Sequence, residues 1–485
     1  MAPPMNWFKK LFGNKDTKPS DIENTRVSEK ESEEYERPKF ASEKVIEIAE
    51  LGVGIDFGTS STKIVLQDLQ LKQKWAVPFV KGSTGSTKYL FPSSVILEDD
   101  GVFSLAGEGR LIQNIKLALL GMGKLTYSPD TMNPKIVVTG YLALLIRHSL
   151  SWFEENQRKY IRAEKILYFL NIGLPAKNCD DIEMMELFRQ VALAAWFAAV
   201  EGGDLTEETL QQTLIRAARD LDNPRTTADG SKLNFDGNRI AIVPEIIAGI
   251  FGYANSPARR DGMYLLVDVG AATLDGAVFN LFKSDGMDRY SIFEADVQQY
   301  GVLAYVESVK ERIQQLPIAD QKKHSSYLSI NPLSEPIPEL FDLGKTVIDP
   351  TPSFLKSCEQ MITKMVHSII IDRNPRATEL EREFPVFVTG GGRHIPCYLR
   401  LVPTVGGRLA TMHFNRFEIR DLPIPDDLEA PDLMISDYHR MQIAYGLSFH
   451  PLSFGDIINK GCIGNTEIDA TLLDFSDRYV DKDMV

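Results

Sequence analysis

The stretch GIDFGTSSTK at residues 54–63 decides the fold. It lies between apolar runs at residues 51–55 and 62–66, which a turn of small polar residues at 58–61 joins. This pattern predicts a strand, a tight turn and a second strand. A turn rich in Gly, Ser and Thr can direct several backbone N–H groups into one concavity, which suits a phosphate. Asp56, at the end of the first strand, adds a carboxylate that can hold Mg²⁺ through water.

The stretch DVGAATLD at residues 268–275 repeats this pattern. Apolar runs flank it at residues 263–267 and 276–282, and Asp268 stands where Asp56 stands in the first stretch. We interpret the two stretches as an internal duplication of one phosphate-binding device. Two such turns facing each other could clamp a polyphosphate and its metal ion from both sides. The alternative is a pair of ordinary β-hairpins with glycine-rich turns.

The remaining patterns predict further strands and helices, and therefore a mixed α/β protein. We expect strands at residues 75–80 and 94–97 that continue the first sheet, and buried strands at residues 165–174 and 384–389. We expect helices at residues 181–200 and, from an Asp204 cap with Glu207 three residues on, to about residue 221. Residues 223–238 read as a polar loop.

Composition limits the class of protein. The chain has 485 residues, 44% hydrophobic and 25% charged, which is a globular composition with room for two or three domains. The formal net charge of -14 argues against a general nucleic-acid-binding protein, because phosphates require a basic surface. Four cysteines without metal-ligand or redox spacing predict free thiols in a reducing compartment, namely Cys179, Cys358, Cys397 and Cys462. The scattered histidines predict no zinc site.

The N-terminal region differs from the rest of the chain. Residues 13–47 are crowded with Lys, Glu, Asp and Ser, and we expect a disordered tether there. On a helix, Trp7, Phe8, Leu11 and Phe12 would share one face with lysines beside it. Such a segment predicts docking to a protein partner or weak contact with a membrane surface, against the alternative of a frayed terminus. The sequence has no apolar stretch of about 20 residues and no secretory signal, so we expect a cytoplasmic protein.

Taken in chain order, the motifs resemble the nucleotide-binding lobes of the DnaK-type heat-shock chaperones, actin and the bacterial actin-like proteins. The resemblance covers residues 50–450 and includes two phosphate motifs, an adenosine motif and two connecting segments, at residues 54–63, 268–279, 388–396, 243–249 and 437–446. Stretches similar to the chaperone branch lie at residues 91–95, 106–107, 115–121 and 173–176.

The resemblance implies a two-lobed actin-like ATPase fold, built from duplicated RNase H-like domains with a nucleotide cleft between the lobes. It implies lobe I at 48–255 with 436–455 returning to it and lobe II at 256–435. With the tether that composition predicts, the expected organisation is a disordered tether at residues 1–47, the two lobes and a C-terminal tail at 456–485. ATP or ADP and Mg²⁺ are the implied cofactors.

The same resemblance assigns roles to individual residues. Asp56 and Asp268 would hold Mg²⁺ through water, Thr273 would contact phosphate, and Lys116 would sit beside the terminal phosphate. Glu245 would orient the attacking water. The implied nucleotide-binding residues are Gly58, Thr59, Ser60, Ser61, Lys63, Gly270, Ala271, Ala272, Gly390, Gly391, Gly392 and Arg393. The alternative for Lys116 is a solvated helix lysine, and Glu245 could also cap the helix that follows it.

The sequence departs from the family in several places. Ala271 and Ala272 replace two glycines of the second phosphate motif, and their effect depends on the backbone angle φ. The stretch between residues 306 and 348 has no clear counterpart, and residues 201–238 look like an insertion. The chain continues for about 40 residues after Gly446, so we expect no chaperone-type peptide-binding domain.

These observations favour a Mg²⁺-dependent, slowly hydrolysing ATPase that acts as a conformational switch for an unknown partner. A filament-forming actin-like protein is an alternative that the fold and motifs hardly separate from such a switch. A small-molecule kinase of the sugar-kinase type is another, because residues 54–63 alone resemble the start of a sugar kinase, but Asp268 and Asp275 of the second motif favour the non-kinase branches. A nucleotide sensor that does not hydrolyse is a further alternative because of Ala271 and Ala272. A homo-oligomer is compatible with each of them.

Overall fold

A computed structural model describes residues 47–79, 85–126, 132–178, 181–224, 228–328, 349–372, 384–410 and 417–458. The amphipathic segment expected at residues 6–12 and the tether at residues 13–46 lie outside the described residues, as does the chain beyond residue 458.

The described chain is mixed α/β, as the sequence predicts. Its strands are β1 (Ile48–Phe57), β2 (Ser61–Asp68), β3 (Lys74–Ala76), β4 (Phe91–Pro92), β5 (Val95–Glu98), β6 (Phe103–Ser104), β7 (Gly109–Ile112), β8 (Lys165–Leu174), β9 (Ile240–Pro244), β10 (Gly262–Val269), β11 (Leu274–Ser284), β12 (Met287–Gln298), β13 (Phe384–Thr389), β14 (Phe417–Arg420), β15 (Leu428–Glu429) and β16 (Asp456–Ile458). Its helices are α1 (Ile115–Leu119), α2 (Pro134–Asn156), α3 (Ile182–Glu201), α4 (Glu207–Asp222), α5 (Glu245–Ala254), α6 (Val302–Gln314), α7 (Ile318–Lys323), α8 (Ser325–Leu328), α9 (Pro352–Asp372), α10 (Pro396–Ala410) and α11 (Gln442–Leu447).

The two large sheets share the same arrangement of five strands. The first sheet has the order β15-β3-β2-β1-β8-β9, with β4 paired to β2, and the second has the order β14-β13-β10-β11-β12-β16. In both sheets three successive strands are antiparallel, β1-β2-β3 and β10-β11-β12. In both, two later strands run parallel to the first, β8 and β9 in one sheet and β13 and β14 in the other.

The two predicted hairpins occupy equivalent places in these sheets. The last paired residues are Phe57 with Thr62 in β1-β2, and Val269 with Leu274 in β10-β11, so each turn contains four residues. Asp56 and Asp268 each stand one residue before that last pair. The duplication that the sequence suggests is therefore present in strand order, pairing direction and turn length.

A core of buried side chains holds each sheet against its helices. Helices α2 and α3 cover the first sheet with residues such as Tyr141, Leu145 and Trp196, and α9 and α10 cover the second with residues such as Met365 and Leu401. Burying each large apolar side chain contributes about 1.5 to 3 kcal/mol. Helix α2 is long and apolar enough to cross a membrane by length and composition, but 72% of its apolar window is buried inside the fold.

A third core joins the two sheets. Ile246 and Phe251 of α5 pack there with Leu266 of β10, Phe387 of β13 and Leu447 of α11. Helices α5 and α11 approach so closely that a Cβ at position 446 would lie 1.9 Å from the Ala248 carbonyl oxygen. Only glycine fits there, so Gly446 is the residue that lets the two helices meet.

Two local expectations are wrong. Residues 94–97 do form a strand, β5, but it belongs to a separate three-stranded sheet with β6 and β7 rather than to the first sheet. Helix α4 is capped by Thr206, not Asp204: the Thr206 side chain accepts from the Thr209 N–H, and Thr209 reciprocates. Leu205 is buried and its carbonyl accepts from Phe103 N–H at 2.8 Å, which holds the chain extended past Asp204.

Both sheets include a strand from the last described part of the chain. Strand β15 pairs with β3 of the first sheet, ahead of the expected boundary at residue 436, and β16 pairs with β12 of the second. Helix α11, between them, contacts β1 and α5.

Candidate functional site

A cleft opens between the turns of the two equivalent hairpins, and we call it the central cleft. It is lined by Asp56, Gly58, Thr59, Ser60, Ser61, Lys63, Leu90, Lys116, Glu245, Asp268, Gly270, Ala271, Thr273, Asp275, Gly390, Gly391, His439, Arg440 and Ile443. Most of the residues selected from the sequence therefore lie around one concavity.

The first turn presents backbone and hydroxyl groups to the central cleft. Its geometry is fixed by Ser93, whose Oγ donates to the Gly58 carbonyl at 2.6 Å. A Cβ on Gly58 would lie 2.4 Å from the Ser61 carbonyl oxygen, so the turn requires glycine there. The backbone N–H groups of Thr59 and Ser60 and the buried Ser60 Oγ have no hydrogen-bond partner in the described part of the chain. Free donors in a glycine-dependent turn suit an anion.

The second turn has the same character. The Gly270 N–H donates to the Thr273 carbonyl at 2.9 Å, whereas the N–H groups of Ala271, Ala272 and Thr273 find no partner among the described residues. The carbonyls of the turn are engaged, because Gly301, Val302 and Leu303 at the start of α6 donate to them.

The two alanines fit this turn without strain. Neither Ala271 nor Ala272 is among the described residues with positive φ, so a methyl group in place of the family's glycines costs the backbone nothing.

Four acidic side chains converge on the central cleft, namely Asp56, Glu245, Asp268 and Asp275. Asp268 and Asp275 are register partners across β10 and β11. Thr389 Oγ1 donates to Asp268 Oδ1 at 2.9 Å, and Thr273 Oγ1 donates to Asp275 Oδ2 at 2.9 Å. Asp275 Oδ1 is buried without a partner among the described residues. A buried carboxylate oxygen without a donor is costly, which indicates a group that the protein alone does not supply.

Two lysines offset part of this negative charge. Lys63 Nζ lies 3.1 Å from Asp56 Oδ2, directly across the β1-β2 ladder. Lys116 Nζ donates to Glu245 Oε1 at 2.7 Å. Lys116 is only 5% exposed, on a five-residue helix that follows the left-handed residue Asn114. It is thus a buried lysine of the central cleft and not a solvated helix lysine.

Glu245 begins α5 and reaches the cleft over Gly173 at the end of β8. A Cβ on Gly173 would lie 2.7 Å from Glu245 Cγ, so this glycine makes room for the carboxylate. The side chain of Glu245 is turned toward Lys116, and the structure records no side-chain cap for α5.

Burial and crowding shift the pKa values of these groups. Burial raises the pKa of Asp268 to about 6, and the negative charges of Glu245 and Asp56 add to the effect. Burial also raises the pKa of Asp275 well above its usual range, with Asp268 and Glu245 as further causes. Burial would lower the pKa of Lys116, but the carboxylates of Glu245, Asp56 and Asp275 raise it overall. Crowding of negative charge therefore adds to burial in raising the pKa values of both aspartates.

The glycine run after β13 packs directly behind Asp268. Gly390 has φ of +84°, and a Cβ there would lie 2.4 Å from Asp268 Oδ1 and 2.5 Å from the Val269 carbonyl oxygen. Both the backbone angle and the space exclude a side chain at this position. Gly390 therefore keeps Asp268 at the wall of the central cleft.

Three residues selected from the sequence do not line the central cleft. Ala272 is buried, and Gly392 packs against Val269 and Val302. Arg393 is turned away into an ion pair with Asp421. Conversely, sequence reasoning did not select five of the lining residues, namely Leu90, Asp275, His439, Arg440 and Ile443. The last three lie in the segment at residues 437–446 that was recognised only as a connection.

The described residues include no group of three or more His, Cys, Asp or Glu side chains placed to hold a metal ion directly. This arrangement is compatible with Mg²⁺, which keeps several waters and takes one or two protein carboxylates together with substrate phosphates.

Comparisons with known proteins add no identification: no protein-family model matches the chain. No curated protein matches it significantly.

Proposed function

We propose that the chain binds Mg²⁺-ATP in the central cleft, hydrolyses it slowly, and uses the nucleotide to set the relation between two lobes of an actin-like fold. The observation that carries the proposal is the convergence of Asp56 and Asp268, from equivalent hairpins, on one cleft. Both of its turns hold backbone N–H donors that find no partner among the described residues. An ordinary pair of hairpins has no reason to place its turns face to face around buried charge.

The repeated strand arrangement supports the fold part of the proposal. Each sheet has three antiparallel strands followed by two parallel ones, and each contributes its first hairpin to the central cleft. Duplication of this kind is what the resemblance to duplicated RNase H-like domains implies. Because a fold does not fix a function, the functional part rests on the chemistry of the cleft.

The cleft residues fit a polyphosphate with its metal ion. The unpaired N–H groups of the two turns offer donors to phosphate oxygens, and Lys63 and Lys116 add positive charge. Asp56 and Asp268 would hold Mg²⁺ through its waters, and Mg²⁺ would neutralise the charge of the phosphates. Asp275 Oδ1, buried without a partner among the described residues, is the natural acceptor for such a water.

The buried ion pair of Lys116 and Glu245 suggests the catalytic roles. The carboxylates around Lys116 keep it protonated, so it carries a full positive charge that can stabilise negative charge developing on a transferring phosphoryl group. Glu245 uses Oε1 to hold Lys116, which leaves its second carboxylate oxygen to orient a water molecule. Slow turnover is expected, since a switch must persist in its nucleotide-bound state until a partner acts.

The third core offers a physical route from nucleotide to conformation. Glu245 lines the central cleft and begins α5, and α5 meets α11 at Gly446. A change in charge at Glu245 therefore acts on the helices that join the two sheets. Hinge motions of this type turn a local charge change into a signal that a partner can recognise.

The proposal is tested by measuring phosphate release from Mg²⁺-ATP with purified protein. We expect slow release that Lys116→Met reduces about a hundredfold, in line with the loss of one charge aimed at the transition state. The matched control is Lys74→Met, which removes another buried, paired lysine that is not among the residues lining the central cleft. Equal rates for the wild type and Lys116→Met would remove Lys116 from catalysis.

A further inference from the structure

The segment at residues 91–95 has no role in the proposed mechanism. It contains β4, which pairs with β2 and places Phe91 opposite Thr62. Phe91 and Val95 are both buried in the core of the first sheet. Ser93 lies between these two anchors, is only 4% exposed and is not among the residues lining the central cleft. The segment therefore holds Ser93 firmly in place outside the cleft.

Ser93 contacts the first turn at two points. Its Oγ donates to the Gly58 carbonyl at 2.6 Å, and its N–H donates to the Ser60 carbonyl at 2.8 Å. The hydroxyl of the buried residue Thr62 lies 3.1 Å from Ser93 Oγ. A serine hydroxyl has one hydrogen, and Gly58 receives it, so Thr62 is the donor in this second contact. The bond from Thr62 thus fixes the rotation of the Ser93 hydroxyl.

The glycine at position 58 makes such an anchor necessary. A Cβ there would lie 2.4 Å from the Ser61 carbonyl oxygen, so the turn accepts no other residue. Glycine also restricts the backbone less than any other residue does. The peptide group that joins Gly58 to Thr59 could therefore rotate within the turn. The hydrogen bond from Ser93 to the Gly58 carbonyl opposes this rotation.

The orientation of this peptide group decides what Thr59 presents to the central cleft. In a planar trans peptide, the C=O and the N–H point in opposite directions. Because the Gly58 carbonyl is held toward Ser93, the Thr59 N–H points to the opposite side. Thr59 lines the central cleft, and its N–H has no partner among the described residues. After rotation, a carbonyl oxygen would replace that N–H and would repel a phosphate oxygen.

We propose that Ser93 is a positioning residue for phosphate binding, which holds the peptide between Gly58 and Thr59 so that the Thr59 N–H meets a phosphate oxygen of the nucleotide. This inference rests on the proposed nucleotide binding. A donor that is already oriented binds more tightly, because no ordering is required on binding. If Ser93 only satisfied a buried carbonyl, its loss would reduce stability and leave the contact between Thr59 and phosphate unchanged.

The test combines calorimetric titration with Mg²⁺-ATP and NMR spectra of the full chain carrying isotope-labelled threonine, in which Thr59→Ser identifies the Thr59 amide resonance. In the wild type we expect saturating Mg²⁺-ATP to shift this resonance downfield, because the N–H gains a charge-assisted hydrogen bond. Ser93→Ala should bind Mg²⁺-ATP about 10- to 100-fold more weakly, as for the loss of one hydrogen bond to a charged group. Its Thr59 resonance should shift much less at saturation. Ser93→Thr, which retains the hydroxyl, should recover part of both effects.

The matched control is Ser149→Ala. Ser149 is buried in α2, its Oγ donates to the Leu145 carbonyl at 2.8 Å, and it does not line the central cleft. Both substitutions therefore remove one buried hydroxyl that donates to a backbone carbonyl. Ser149→Ala should keep the wild-type affinity for Mg²⁺-ATP and the wild-type shift of the Thr59 resonance. If Ser93→Ala fails to fold, Ser93→Cys takes its place, since a thiol is a weak donor of similar shape.

A Thr59 resonance that does not move when the wild type is saturated with Mg²⁺-ATP would overturn the inference and leave the proposed ATP binding intact. Equal affinity for Mg²⁺-ATP, or an equal Thr59 shift, in the wild type and a folded Ser93→Ala or Ser93→Cys variant would do the same. Absence of Mg²⁺-ATP binding by the wild type would overturn the proposed function together with this inference.

Discussion

Lys116 Nζ and Glu245 Oε1 lie 2.7 Å apart inside the protein, although 129 residues separate them in the sequence. Phe57 covers the pair, with Lys116 Nζ 5.9 Å from the centre of its ring. Removing one partner of a buried ion pair leaves the other uncompensated. The pair therefore links the short helix α1 to the start of α5 at the wall of the central cleft.

Replacing Lys116 should cost stability as well as turnover. We expect Lys116→Met to lower the free energy of unfolding by about 3 to 5 kcal/mol, because Glu245 is left buried without its counter-ion. The double variant Lys116→Met/Glu245→Leu should recover much of that loss, since both charges are then gone. Denaturant unfolding monitored by circular dichroism measures both. An additive loss in the double variant would contradict the assigned pairing.

Asp268 should make stability fall as pH rises. Its pKa of about 6 in the folded protein exceeds the ordinary value of 3.8, so between roughly pH 4 and pH 6 the folded state binds more protons than the unfolded chain. The contribution is complete below the ordinary pKa and is lost as pH rises through about 6. The variant Asp268→Asn cannot ionise at this position, so its stability does not fall with the ionisation of Asp268. We expect the variant to be more stable than the wild type at pH 7 in the absence of nucleotide.

The size of that effect follows from the shift. The advantage of Asp268→Asn should grow by on the order of 2 to 3 kcal/mol between pH 4 and pH 7. Urea unfolding at the two pH values measures it, with the exposed acid Asp99→Asn as control. A pH-independent difference between Asp268→Asn and the wild type would contradict the raised pKa.

Gly390 allows a comparison between two glycines of similar backbone angle. Gly390 and Gly286 have φ of +84° and +81°, but a Cβ on Gly286 meets nothing within 4 Å. Alanine at either position costs about 1 to 2 kcal/mol of backbone strain. Only Gly390→Ala should also displace Asp268. We expect this variant to bind Mg²⁺-ATP about tenfold or more weakly, which corresponds to the loss of one interaction. Equal binding by both variants would separate Gly390 from the cleft.

Local sequence patterns predicted the two hairpins and strands β8 and β13 because each consists of neighbouring residues. They could not predict that β5 leaves the first sheet, because strand pairing is decided by distant residues. Asp204 satisfied the pattern of a helix cap, yet burial of Leu205 and its bond to Phe103 moved the cap to Thr206.

The residues of the central cleft also divide into those that local motifs indicate and those that depend on distant parts of the chain. Asp56, Thr59 and Asp268 belong to local motifs, and Lys116 was selected only through the family resemblance. His439 carries no local signal, because its environment depends on His394, which lies 45 positions earlier in the sequence. Arg393 belongs to the adenosine motif that the family resemblance identifies, but its guanidinium forms an ion pair with Asp421.

The N-terminal segment gives a prediction that is independent of the cleft. Burying Trp7, Phe8, Leu11 and Phe12 against a partner or lipid gives about 1.5 to 3 kcal/mol each, and ordering the backbone costs roughly 1 to 2 kcal/mol per residue. Association should therefore be weak. Deleting residues 1–15 should preserve nucleotide binding and reduce co-sedimentation with anionic liposomes or capture of a partner. Unchanged association at both low and physiological salt would indicate a terminus without a docking role.

Calorimetric titration of the wild-type protein with ATP, in Mg²⁺ and again in excess EDTA, tests the central claim most directly. The account predicts saturable binding of one ATP per chain in Mg²⁺ and much weaker binding in EDTA. It also predicts that Asp56→Asn/Asp268→Asn reduces the Mg²⁺ dependence, whereas Asp427→Asn, outside the cleft lining, does not. No heat of binding from ATP, ADP or GTP at millimolar concentration in Mg²⁺ would contradict the account.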